Sequence, residues 1–322
     1  SAMNTHSSNA TVQEYGCGAL RNLAVNDNNR VTIAEAGGIT MILSAMKTHS
    51  SNATVQEYGC AALWSLAVNN NNKVTIAEEG GIPLILSAVK NHFSNATVQE
   101  YGCAALENLA VNNDHNKMTI AKEGGIPMIL SAMKTHYSNA TVQKYGCAAL
   151  RNLAVNDSNQ ETIADAGGII TILSAMKNHS SNADGQEYGC AALWNLVVNE
   201  ENKVTIAEAG GITTILSAMN NHPFIANLQY YGCGALFNLA VNDNNEVTIA
   251  AEGGIITILS AMNNHFSNAF VQHYGCAALR NLAVNENNKV IIAEAGGITT
   301  ILSAMRTHFS NAELQEYGCL AL

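Results

Sequence analysis

The cysteines of this chain fall on a ruler. They stand at Cys17, Cys60, Cys103, Cys147, Cys190, Cys233, Cys276 and Cys319, each 43 residues from the next apart from one step of 44 between Cys103 and Cys147. The run Asn22-Leu23-Ala24-Val25-Asn26 returns on the same beat at Asn108, Asn152, Asn238 and Asn281. A period of this length constrains the fold more than composition does. One copy cannot bury its apolar face alone, whereas stacked copies share a continuous core. The 322 residues therefore read as one array, 1–322, and not as two globular domains. The units run at about 9–51, 52–94, 95–138, 139–181, 182–224, 225–267 and 268–310, with partial copies at both ends.

One copy reads as three helices. Asn9 precedes Ala10-Thr11-Val12 as an N-cap, since its side-chain oxygen can accept from a free amide of the first turn. The helix it starts runs through Tyr15, Cys17, Leu20 and Leu23 towards Val25. Val12, Gly16, Leu20, Leu23 and Ala24 keep the spacing of a buried helical face. Asn26-Asp27-Asn28-Asn29 reads as a polar break that caps a short helix, Val31 to Ala36. Gly37-Gly38 stops it, because glycine takes the left-handed C-cap conformation without strain. A third helix is expected from about Ile39 to Met46, and two copies put Pro83 and Pro127 in its first turn, where proline is tolerated. Lys47 and His49 follow its end, a region that favours cations. The fold class is all-α, with a long, a short and a middle helix in each copy.

Three helices in about 43 residues suit armadillo units better than ankyrin or tetratricopeptide units of 33 or 34. Particular residues carry that resemblance. VTIAEAGGI, Val31 to Ile39, resembles the first helix and glycine turn of an armadillo repeat. GIPLIL, Gly81 to Leu86, resembles the start of the second helix, and CGALRNLAVN, Cys17 to Asn26, the third with its asparagine. The resemblance covers essentially the whole chain and implies a right-handed superhelical solenoid of about seven 43-residue repeats. It also implies a function. In armadillo proteins such as importin-alpha and beta-catenin the third helices line a concave groove, and their asparagines bond the backbone of an extended peptide.

By that resemblance the groove asparagines here are Asn22, Asn108, Asn152, Asn195, Asn238 and Asn281, with Ser65 breaking the series. Asn22 shares a helical face with Tyr15, Gly18 and Val25. The tyrosine recurs as Tyr58, Tyr101, Tyr145, Tyr188, Tyr231 and Tyr274. Importin-like arrays carry tryptophan four residues before the asparagine. Here that position is Gly18, Ala61, Ala104, Ala148, Ala191, Gly234 and Ala277, so slots for a nuclear signal are not expected. The small residue is expected to make room for the tyrosine ring. The position just before the asparagine reads Arg21, Trp64, Glu107, Arg151, Trp194, Phe237 and Arg280. No core site accepts that range, so it is expected to be exposed beside the groove, where aromatic and Arg anchors dominate binding. The alternative is that each Asn only bonds a neighbouring helix.

Other ladders have blander readings. Cysteines one repeat apart lie about 8–10 Å from each other by helix packing, too far for a disulfide, so eight free core thiols and a reducing compartment are expected. That points to the cytoplasm, with the nucleus as the alternative. The histidine ladder, His6, His49, His92, His136, His179, His222, His265 and His308, is likewise too widely spaced to share a metal ion and reads as a helix-end feature. His115 and His273 fall outside it and read as surface variation. The sequons at Asn9, Asn52, Asn95, Asn139, Asn156 and Asn178 read as caps or loop asparagines copied with the repeat.

At 48% hydrophobic residues the chain has ample core, and its charged share is only 12% against about 25% in an average domain. Asparagine is expected to take over surface duty. A net charge of -10 opposes nucleic-acid binding, which relies on clustered Lys and Arg. No apolar run reaches the roughly 18 residues of a membrane span, and the first residues do not read as a signal peptide. Catalysis needs unlike groups converging. Here each polar residue of interest recurs once per copy, so neither an enzyme nor a cofactor or metal is expected. The chain opens on a match to the end of a middle helix and stops partway along a long one. It reads as a segment of a longer array. The expected activity is a scaffold that binds an extended peptide or protein partner in its groove. The alternative is a structural array that self-associates end to end.

Overall fold

A computed structural model describes residues 2–322. The chain divides into two compact units, Ser1–Ala166 and Gly167–Leu322. Every regular element among the described residues is an α-helix, and each unit repeats the armadillo order of long, short and middle helix.

In the first unit the long helices Ala10–Leu23, Ala53–Leu66, Ala96–Ala110 and Ala140–Leu153 pack side by side. The middle helices Gly38–Thr48, Gly81–Asn91 and Gly125–Thr135 form a second layer, each touching the next middle helix or the following long helix. The short helices Asp27–Glu35, Asn70–Glu78 and Asp114–Lys122 each pack on the long helix before and the middle helix after. The second unit repeats the plan. Its long helices are Ala183–Leu196, Ala226–Leu239, Ala269–Leu282 and Ala312–Ala321. Its middle helices are Gly168–Asn178, Gly211–Asn221, Gly254–Asn264 and Gly297–Thr307, and its short ones Glu200–Glu208, Asp243–Ala251 and Glu286–Glu294.

The helix boundaries follow from local chemistry. Asn52 caps its long helix, its Oδ1 accepting from the Val55 amide at 3.1 Å. Asn9, Asn95 and Asn139 do the same, so these sequon asparagines are caps. Ile225 takes the position in one copy, and that helix has no side-chain cap. The short helix begins earlier than the sequence suggests. Asn69 alone is the cap, accepting from the amides of Asn71 and Asn72, so the asparagine run is the first helical turn and not a break. The glycine pair divides its labour. Gly80 sits at φ 80°, the left-handed region, while a Cβ on Gly81 would lie 2.5 Å from the Ile76 side chain.

Leu63, Leu66, Ile76, Ile82 and Ile85 are fully buried, each contributing about 1.5–3 kcal/mol by leaving water. Cys17, Cys60, Cys103, Cys147, Cys190, Cys233 and Cys276 are buried and unpaired, and Cys319 is exposed and unpaired. Burial alone, or burial first, pushes the thiols of Cys103, Cys147 and Cys60 up to about 12.

Asparagine serves the core as well as the surface. Asn72, Asn116, Asn159, Asn202, Asn245 and Asn288 are buried, and each donates to the carbonyl of the last leucine of its long helix, Asn72 to Leu66 at 3.2 Å for example. These carbonyls have no intrahelical partner. A buried glutamine serves the middle helix in the same way. Gln56 Nε2 donates to the carbonyls of Met46 at 2.8 Å and His49 at 3.0 Å, and Gln99 and Gln143 repeat the pair of bonds. The ladder histidines cap the middle helices, as expected, and also tie repeats together. His49 Nε2 meets the Ser7 carbonyl of the preceding copy at 2.8 Å, and His92 that of Ser50 at 2.8 Å.

Candidate functional site

The long-helix face holds the residues singled out by the armadillo resemblance. The position before the asparagine is half-buried in six copies, from Arg21 to Phe237, and exposed only at Arg280. The sequence predicts exposure beside the groove. The reason for the difference is reach: Arg21, Trp64, Trp194 and Phe237 lie across the tyrosines of later copies, while Glu107 and Arg151 lie against each other.

In the first unit Arg21 Nη2 donates to the Tyr101 hydroxyl at 2.8 Å, and its guanidinium sits 5.1 Å from the ring centre. Trp64 tilts against Tyr101 at 6.0 Å and meets Tyr145 edge-on at 5.7 Å. Lys144 lies 5.2 Å from the Tyr145 ring. Arg151 stands 3.7 Å from Glu107, whose side chain is 13% exposed. Burial pushes the Glu107 carboxyl above the usual carboxylate range, with Arg151 and a bond from Asn152 offsetting part of the shift. Burial also raises Glu57 and Glu100; Arg21 opposes both shifts.

The second unit replaces charge with rings. Trp194 stands 5.7 Å from Tyr231 and 5.3 Å from Tyr274, and Phe237 stands 6.3 Å from Tyr274 and 5.7 Å from Tyr317. Tyr230, in a position that is glutamate in most copies, joins Trp194 at 5.2 Å, Tyr274 at 5.2 Å and Phe270 at 5.5 Å. Burial pushes its hydroxyl up to about 12, with Tyr274 and Tyr231 adding to the shift. The small position makes room for a ring of another copy, not of its own. A Cβ on Gly234 would stand 2.9 Å from Trp194 Nε1, and one on Gly18 would touch Tyr58.

The asparagines differ among themselves. Asn108 donates to the Trp64 carbonyl at 2.9 Å, Asn152 to that of Glu107 at 3.1 Å, and Asn281 to that of Phe237 at 2.9 Å. These three therefore bond the neighbouring long helix, the alternative that the sequence left open. Asn152 and Asn281 also accept from Arg151 and Arg280. Asn22 is exposed, and Asn195 and Asn238 are half-buried, as are Tyr58 and Tyr188.

Sequence reasoning missed Tyr230, Phe270 and His273. His273 is no surface variant. Its side chain is 13% exposed, its ring packs edge-on against Tyr274 at 4.7 Å and Tyr317 at 5.1 Å, and Nδ1 lies 4.0 Å from Glu313. Burial lowers its pKa against the pull of Glu313. The available signal was a departure from the copies: Tyr230 and His273 stand where Glu14, Glu57, Glu100, Glu187 and Glu316 stand elsewhere. Among the described residues no group of three or more His, Cys, Asp or Glu could hold a metal ion. No single helix among them is long and apolar enough to cross a membrane.

Comparisons place these repeats among known ones. No curated protein matches the sequence. An engineered protein of known structure aligns over 98% of this chain and 85% of its own, at 20% identity and a TM-score of 0.71. A structure from work on a phosphorylation switch in the interaction between cadherin and beta-catenin aligns over 99% of this chain and 62% of its own, at 19% identity and a TM-score of 0.76. A designed armadillo repeat protein aligns over 75% of this chain and 98% of its own, at 18% identity and a TM-score of 0.64. At these identities the likeness is one of fold. The sequence itself matches the family model described as LRRK2 ARM repeat over residues 1–166 and again over 164–322, and the chain belongs to that armadillo-repeat family.

Proposed function

We propose that this chain is a protein-interaction scaffold that takes an extended peptide, or an extended segment of a protein partner, along its long-helix face. One observation carries the reading. Copies otherwise nearly identical change from Arg21 to Trp64 to Glu107 at a single half-buried position, above a tyrosine that stays constant from copy to copy. Constant groups suit a peptide backbone, which offers the same amides and carbonyls throughout. Variable groups suit its side chains, which differ along the ligand. Asn108 and Asn281 each spend one N–H on the neighbouring helix, and a carboxamide has a second to offer. Beta-catenin, which shares the fold, interacts with cadherin. The buried, unpaired thiols favour a reducing compartment for this work, the cytoplasm or the nucleus.

The test is a peptide-library selection on the full chain, repeated on Trp64→Ala and Trp194→Ala variants. Loss of an aromatic anchor costs about 2 kcal/mol or more, so selected peptides should bind at least about tenfold more weakly with helicity unchanged. Unaltered binding by folded variants would move the site elsewhere.

A further inference from the structure

We infer that the long-helix face of the second unit takes a proline-rich segment in the polyproline II conformation. This deepens the scaffold reading by naming the ligand chemistry at one place. The first observation is the change of character at Tyr230 and His273. Glutamate stands at that position in five other copies and lysine in Lys144. Here two successive copies lose the charge, and the aromatic rows of Trp194, Tyr230, Tyr274 and Phe237 meet over the gap. The rings do not lie flat on one another. Trp194 meets Tyr230 at 70° and Tyr274 at 79°, and Phe237 meets Tyr317 at 76°. Trp194, Tyr230, Tyr274 and Phe237 are each half-buried, so part of each ring meets solvent, and exposed aromatic rows of this kind are what proline-rich segments dock on.

The second observation is an excess of donors. Among the described residues the Trp194 indole N–H, the hydroxyls of Tyr230 and Tyr274 and the Asn238 carboxamide have no hydrogen-bond partner, and none of them is sealed from solvent. A polyproline II segment is their complement. It has no internal hydrogen bonds, its carbonyls are free, and proline supplies no N–H to compete. Its fixed φ also limits the entropy lost on binding.

A cationic side chain is the rival occupant, and the first unit shows what it needs. There Arg21 lies over Tyr101 with Glu57 and Glu100 near enough to act on the same hydroxyl. In the second unit those counter-charges are replaced by Tyr230 and His273, and the neighbouring Glu313 is 82% exposed. Glu313 still acts on the Tyr274 hydroxyl, so a guanidinium would find fewer carboxylates there than in the first unit, and the arginine arm of the experiment decides between the two.

The experiment is a titration of the full chain, labelled with nitrogen-15, with deca-proline, a glycine-serine decapeptide and deca-arginine. Only Trp64 and Trp194 give indole N–H signals, and Trp194→Phe assigns them. Deca-proline at millimolar concentration should shift the Trp194 signal to saturation and leave that of Trp64 in place. Tyr230→Glu and, separately, His273→Glu restore the residue of other copies, so the fold is kept, and each should weaken deca-proline at least about tenfold. No shift with deca-proline overturns the proposal, as does equal affinity for the glycine-serine peptide. Tighter binding of deca-arginine overturns it in favour of a cation. If deca-proline fails while library-selected peptides still depend on Trp64 or Trp194, the scaffold reading stands and only the proline assignment falls.

Discussion

The guanidinium of Arg21 reaches past the next copy to Tyr101, two repeats along, bonding its hydroxyl at 2.8 Å and facing its ring at 5.1 Å. Trp64 reaches Tyr145 over the same span, and so does Phe237 to Tyr317. The side chains proposed to set recognition on this face thus also staple the repeats beneath it. Arg21→Ala should lower stability by about 0.5–1 kcal/mol, the size of a partly exposed cation–π contact. Tyr101→Phe should cost less than Arg21→Ala, since the ring contact remains and only the hydroxyl bond is lost. Urea titrations of the three proteins check this.

The glutamine ladder should matter more than any surface ion pair. Gln143 is buried and donates to the carbonyls of Met133 and His136, both at 2.9 Å. Gln143→Ala strands the Met133 carbonyl, while that of His136 keeps the Asn139 amide at 2.9 Å, and should cost about 1–3 kcal/mol. Lys289→Ala, which removes an exposed pair with Glu286, should cost about 1 kcal/mol or less. Denaturant midpoints of the two variants rank them.

Glu107 should be a liability at neutral pH. Its folded pKa lies above the ordinary carboxylate value because of burial, so the native state favours the protonated form. Stability is then fullest below the ordinary carboxylate range and falls as pH rises towards the folded pKa. Glu107→Gln should raise the denaturant midpoint at neutral pH and leave it unchanged in acid. Arg151→Met removes the offsetting charge and should lower stability by about 1 kcal/mol.

The thiols make a second pH prediction with the same sign. Their folded pKa values rise from 9.0 to about 12 through burial, so unfolded chains release protons that native chains keep. Stability from these groups is complete below pH 9.0 and falls on the way to about 12. Cys103→Ala should flatten that decline in urea titrations at rising pH. Under native conditions a thiol reagent should modify Cys319, the exposed cysteine, and on denaturation all eight.

What could be read from the sequence was what is local or periodic. Asn52 and Gly80 announce a cap and a turn because their partners lie within three residues or in their own φ. The roles of Gln56 and His49 were not legible, since each depends on a carbonyl that only packing brings near, 10 residues away for Met46 and 42 for Ser7. The glycine at 234 was noticed, but the ring it admits, Trp194, belongs to the preceding copy. His273 looked superficial because one copy taken alone cannot say that Tyr317 of the next will cover it.

The most direct measurement of peptide binding on the long-helix face is site-specific photocrosslinking. A peptide selected on the full chain is irradiated with chains carrying p-benzoylphenylalanine at position 101 or at position 137. Tyr101 is half-buried on the long-helix face, and Tyr137, in the loop after a middle helix, is 65% exposed. Crosslinking from position 101, blocked by excess unlabelled peptide, with none from position 137 is the expected result. Crosslinking from position 137 and not from 101 would contradict it.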